Sequence, residues 1–225
     1  VAGPGLMLNA NFQGTATLQG TYIIAFGVPT VPAEGILAAG GGTLNLQGVH
    51  VAGHTNGLDV TGDSAVTVSA GTEISNNSAY GIRVAGSGVN PVILDGALLR
   101  YNGAAGLFLV QGSTRTVEAR AGCAISWNAM GLVAWGGTLS VFNAQVEGNS
   151  GNGVWAAGTA DVTLQDTNVN NNGTTMPAAD GHGVFVASDG KVTLRNTYVT
   201  DNFRAGIRTA ANSTQALRLE GGSSS

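Results

Sequence analysis

The chain carries little charge. Only 9 of its 225 residues are Lys or Arg and 13 are Asp or Glu, a tenth of the sequence, against ~25% in ordinary soluble domains. With one lysine, Lys191, and eight scattered arginines, it has no basic cluster to neutralise a row of phosphates, which excludes nucleic acid as the partner. Cysteine occurs once, at Cys123. One thiol forms neither an intrachain disulfide nor a cysteine metal cage, and here it reads as a small buried hydrophobe. Five prolines and the lack of a strict triplet period exclude collagen. No stretch approaches the ~18–20 consecutive apolar residues of a membrane-spanning helix. Disorder is excluded too, because 43% of the residues are apolar.

What abounds is glycine, 36 residues, more than twice the usual ~7%. Much of it recurs in a four-residue unit of Gly, apolar, any, apolar or small: Gly57-Leu58-Asp59-Val60, then units opening at Gly81, Gly106, Gly131, Gly153, Gly183 and Gly206. The steps run from 22 to 30 residues. Each unit is followed by a second alternating pair, such as Val66-Val68 or Val117-Ala119, and then by a single apolar mark at Ile74, Leu99, Ile125, Val146, Val169 or Val199. Three residues after every mark stands Asn: Asn77, Asn102, Asn128, Asn149, Asn172 and Asn202. Period-2 alternation predicts strands, and the superperiod predicts three short strands per repeat. In a parallel solenoid equivalent positions stack at ~4.8 Å. Asn is then expected to take a left-handed turn while its amide bonds its neighbours. Gly is expected to permit the bend into the next strand.

The Asn-to-Gly-apolar consensus closely resembles the β-helix repeat of the pectin-lyase-like superfamily over residues 43 to 219. The resemblance implies an all-β fold, a single-stranded right-handed parallel β-helix of about eight coils. Residues 1–45 read as a first coil and N-terminal cap, 46–219 as the repeats, and 220–225 as a flexible tail or linker.

The same coil carries lyases, hydrolases, phage tailspikes and adhesins, so fold alone does not assign an activity. Gly181-His182-Gly183 and Gly206-Ile207-Arg208-Thr209 look like two of four motifs of the polygalacturonases, but both glycines are demanded by the repeat. The paired acids are missing: no Asp-Asp occurs, and inverting hydrolysis needs two carboxyls ~6.5–9.5 Å apart. Pectate lyases use clustered acids to hold Ca²⁺ and an Arg or Lys base; only a lyase reading would bring in that cofactor. For either chemistry the residues to test are Asp180, His182, Arg204 and Arg208, around the one long insertion, Gly173 to Gly181. His50 and His54 lack a third ligand and read as turn and surface residues, and no metal site is expected.

Alternation also predicts which residues point outward. The position between the apolar marks reads Asp59, Arg83, Phe108, Val133, Trp155, Phe185, Arg208, and two residues on lie Val110 and Trp135. Phe108, Val133, Trp135, Trp155 and Phe185 should form one apolar face rimmed by polar residues, the mark of an interface or ligand groove. The leading expectation is therefore a non-catalytic extracellular or cell-surface module that binds a glycan or protein partner, as in carbohydrate binding or adhesion. A polysaccharide lyase or hydrolase is the first alternative. The second is a segment of an autotransporter passenger or tailspike fibre, in which the same face would drive oligomer formation.

Overall fold

The computed structural model describes residues 4–25, 33–173, 181–187, 189, 191–210 and 216–224. All regular structure in them is β-strand. Nine strands stack in parallel as a first sheet, from Leu6–Leu8 and Glu34–Ala38 through Asn56–Val60, Tyr80–Val84, Ala105–Leu109, Met130–Ala134, Val154–Ala156 and Val184–Val186 to Ile207–Thr209. The other two strands of each coil belong to a second sheet of 16 strands that folds around a bend and forms the remaining two walls. A representative coil is Ala105–Leu109, Thr116–Arg120 and Ala124–Ser126. The result is a parallel β-solenoid of about eight turns. Regular stacking begins with Leu6–Leu8, Thr15–Gln19 and Tyr22–Ile24, which pair with the coil above. At the other end the last strand, Ala216–Ser224, pairs with Lys191–Thr200, so residues 220–224 continue the sheet and do not trail as a linker.

The apolar residue of each alternating pair points inward and stacks on its equivalents. Leu58, Ile82, Leu107, Leu132 and Val154 are in register and fully buried. At ~25 cal/mol per Å² of apolar surface, such continuous columns are the main favourable term of the fold.

The Asn corner is a chain of side-chain amides. Asn77, Asn102, Asn128, Asn149 and Asn172 each donate from Nδ2 to Oδ1 of the next Asn, at 2.9–3.1 Å. Asn128 shows the full set. Its Nδ2 donates to Leu99 O (3.0 Å) and Asn149 Oδ1 (3.1 Å), while its Oδ1 accepts from Asn102 N (3.0 Å) and Nδ2 (2.9 Å). His54 heads the chain. Its backbone N–H donates to Asn77 Oδ1, and its Nε2 lies 3.3 Å from Ile23 O, the equivalent of the carbonyls to which Asn102, Asn128, Asn149, Asn172 and Asn202 donate from Nδ2. His54 is thus buried, not a surface residue.

Two expected roles change. The ladder asparagines are not left-handed; the residues before them are. Gly53, Asn76, Tyr101, Trp127, Gly148, Asn171 and Asp201 all have φ between 53° and 81°. Asn is required for its four hydrogen bonds, and the turn strain falls on its predecessor. Nor does the repeat glycine serve a bend. A Cβ on Gly106 would come within 2.9 Å of Asn128 Nδ2 and 3.0 Å of Gly131 O. The glycine leaves the space into which the amide chain fits.

One buried cation escaped the sequence reading. Arg115 is fully buried, donating to Gly62 O and to Ser64 O (2.7 Å), with Asp63 at 3.5 Å. Desolvation pulls its pKa down, and backbone carbonyls two coils away hold it in place.

Asn128→Ala removes the acceptor of Asn102 N and Nδ2 and the amide donor to Leu99 O, while Asn149 Oδ1 keeps only the backbone N–H of residue 128. With each buried orphan costing ~1–3 kcal/mol, the variant should lose roughly 3 kcal/mol or more in urea unfolding; an unchanged midpoint would show that the corner does not depend on the amide.

Candidate functional site

The first sheet has one face in the core and one facing out, because successive side chains alternate. On the outer face, strand register aligns Asp59, Arg83, Phe108, Val133, Trp155, Phe185 and Arg208 in a single column. Tyr80, Ala105 and Met130 form a parallel column. Trp135, just past its strand, reaches in from the other side.

The rings do not make a flat stack. Tyr80 stacks on Phe108 at 4.8 Å, Phe108 meets Trp135 edge-on at 5.3 Å, and Trp135 meets Trp155 edge-on at 5.6 Å. Trp155 and Phe185, in register, are tilted at 5.9 Å. Trp135 inserts between Phe108 and Trp155 because Val133 is too small to fill the column between them. This buries the floor: Val133 is 2% exposed and Phe108 9%. The expectation that both side chains lie open to solvent is therefore corrected. They form a small second apolar cluster, with Tyr80, Met130, Trp135 and Trp155 packed over it.

Two depressions flank Trp135. One, of about 210 Å³, lies over Phe108, Met130, Val133 and Trp155. The other, of about 390 Å³, is bounded by Gln111, Ala157, Thr159 and Asp189. The indole N–H groups of Trp135 and Trp155 are enclosed without a hydrogen-bond partner, a cost of about 1–3 kcal/mol each.

Charged groups close the column at both ends. At one, Arg83 pairs with Asp59 at 2.9 and 3.0 Å. Burial raises the Asp59 carboxyl above its ordinary 3.8, with Arg83 pulling it back. At the other, the Arg208 guanidinium lies 5.5 Å from the Phe185 ring centre and 3.0 Å from His182 Nε2.

The structure thus brings His182 and Arg208 together. His182 is buried, with Ala205 N at 3.3 Å from its Nδ1, so N–H groups face both ring nitrogens. Arg204 is exposed at the neighbouring turn, its backbone N–H on Gly181 O. Asp180 lies outside the described residues. Among those described, no group of three or more His, Cys, Asp or Glu side chains could hold a metal ion. Among the described residues, the groups on the His182 ring are an arginine and a backbone amide, and these do not suit Ca²⁺.

A stacked parallel solenoid with an aromatic outer face defines the class. The sequence matches the family described as "Right handed beta helix region" over residues 34–220, and the chain belongs to that family. Among solved structures it is similar to pectate lyase Pel9A, at 16% identity and a TM-score of 0.53, over 88% of this chain and 54% of that one. That likeness is one of fold, and the chain spans about half the length of the lyase. No curated protein matches significantly.

The raised Asp59 value gives a signed expectation. The folded protein holds this proton where the unfolded chain releases it, so the group's contribution to stability falls as pH rises from 3.8 towards neutrality. Asp59→Asn removes that fall. Its stability relative to the parent should increase across this range, read from urea midpoints; a flat difference would mean that Arg83 fully offsets burial.

Proposed function

We propose that the protein is a non-catalytic binding module, working at the cell surface or outside the cell, that holds a glycan or protein partner on the aromatic outer face. The observation that carries this reading is the cluster of Trp135, Trp155 and Phe185 over a buried Phe108–Val133 floor. Aromatic residues above a packed apolar floor supply contact area with little rotamer entropy to lose, and such residues dominate interface energetics. The ion pair at one end and Arg208 at the other give a partner polar points of register.

A polysaccharide lyase or hydrolase is the second reading, favoured by the 3.0 Å contact between Arg208 and His182. Against it stands the chemistry: glycoside hydrolysis needs two placed carboxyls, and arginine beside histidine supplies neither. In a fibre segment the same face would pack on a neighbouring chain, and self-association is its signature.

Trp155→Ala should weaken binding by ~2 kcal/mol, about thirtyfold in Kd. The measurement is a titration against a glycan panel, with sedimentation as the readout for self-association. Tryptophan emission should shift to the blue on binding. A variant that loses stability but neither affinity nor association would make the cluster a purely structural cover. Unsaturated, near-ultraviolet-absorbing products from uronates would establish the lyase reading instead.

A further inference from the structure

The left-handed position before each ladder residue is filled by Gly53, Asn76, Gly148, Asn171 and Asp201 in five coils, all residue types suited to it. In the other two coils it holds Tyr101 (φ 57°) and Trp127 (φ 59°). A bulky aromatic is strained there, and neither side chain is buried in return: Tyr101 is 50% exposed and Trp127 55%. Held strain without burial points to a function.

Trp127 has surroundings that fit one. Its indole lies against the next turn at Gly148, where an added Cβ would meet Cδ2, Cε3 and Cζ3, each at 3.2 Å. Beside the ring is a notch of about 340 Å³ bounded by Trp127, Glu147, Gly148 and Asn171. Among the described residues Glu147 has no ion-pair partner. The notch therefore joins an apolar ring to a carboxylate and to the exposed side chain of Asn171, both able to accept hydrogen bonds. This corner is a different part of the surface from the outer face of the first sheet.

We propose that the Trp127 notch binds a neutral pyranose residue of a glycan, with the sugar's C–H face on the indole and its hydroxyls bonded to Glu147 and Asn171. A pyranose presents a flat apolar face edged with hydroxyl donors, which matches a ring bordered by acceptors. An unpaired Glu147 repels the carboxylate of a uronate and so selects against acidic sugars. The site does not depend on the outer aromatic face.

Indole N–H resonances report the three tryptophans separately, once assigned by Trp127→Phe. The probes are cellohexaose, xylohexaose, mannohexaose and hexagalacturonate at millimolar concentration. At least one neutral hexasaccharide should shift the Trp127 signal, while hexagalacturonate leaves it in place. Trp127→Asn should weaken that binding by about tenfold or more and keep or raise the melting temperature, because Asn tolerates the left-handed backbone. Glu147→Gln should retain the neutral sugar and admit hexagalacturonate. The proposal is overturned if no neutral probe moves the Trp127 signal, or if Trp127→Asn lowers the melting temperature by many degrees and leaves affinity unchanged. Shifts confined to Trp135 and Trp155 would also overturn it while supporting the outer face as the binding surface.

Discussion

The amide chain from Asn77 to Asn202 is where the other constraints of this solenoid meet. Each amide can donate upward and accept downward only if successive coils sit one strand spacing apart and in register. That geometry places each carboxamide against the repeat glycine of the preceding coil, where only glycine leaves room, as Asn128 does at Gly106. It also makes the chain turn sharply just before each Asn, at a residue with positive φ. Glycine, left-handed predecessor and buried amide are thus one device, repeated up the molecule. His54 shows its tolerance: an imidazole serves at the head of the chain because its Nε2 reaches the carbonyl that an Asn amide would reach.

Once that corner and the inner columns are set, the outer positions are released from the fold. The same backbone position is Asp in one coil, Arg in the next, then Phe, Val, Trp, Phe and Arg. No structural rule asks for this order, and on a solenoid such freedom is where binding properties are written. The left-handed corner is less free. Departures from Gly, Asn or Asp there carry strain, so Tyr101 and Trp127 are more informative than aromatic residues on an open strand.

The repeat was legible because it is periodic: glycine, alternating apolar residues and Asn recur at fixed offsets, which is enough to specify a parallel β-helix. The physical roles were less legible. Asn has two reputations, left-handed turns and side-chain hydrogen bonding, and sequence spacing does not choose between them; the atoms of Asn128 do. His54 stands three residues after Val51, the offset of every ladder Asn, and a search by position would have found it. Arg115 offered no such signal, since its partners are carbonyls two coils away. The outward column was readable by alternation, but the burial of Phe108 and Val133 was not. It depends on Trp135 from an adjacent position leaning across, a side-chain choice that periodicity does not encode. The exposed Trp127 carried no mark in the sequence, because its interest lies in a backbone angle.

The dimensions of the outer face constrain what it can hold. From Arg83 to Arg208 the column climbs five coils, about 24 Å at ~4.8 Å per step. Between the charged ends its surface is ring and aliphatic carbon, and the edge-on contacts of Trp135 make it ridged instead of flat. A partner lying along the axis meets a guanidinium, then about four coils of apolar surface, then a second guanidinium. One lying across the strands meets only two or three rings. Axial contact therefore buries more apolar area and engages both ends, whereas crosswise contact leaves Arg83 and Arg208 unused. Arg83 is already committed to Asp59 at 2.9 Å and Arg208 is more exposed. The two ends are thus unequal, and on the binding reading proposed above an axial partner would have a preferred polarity, with its anionic or acceptor-rich end towards Arg208.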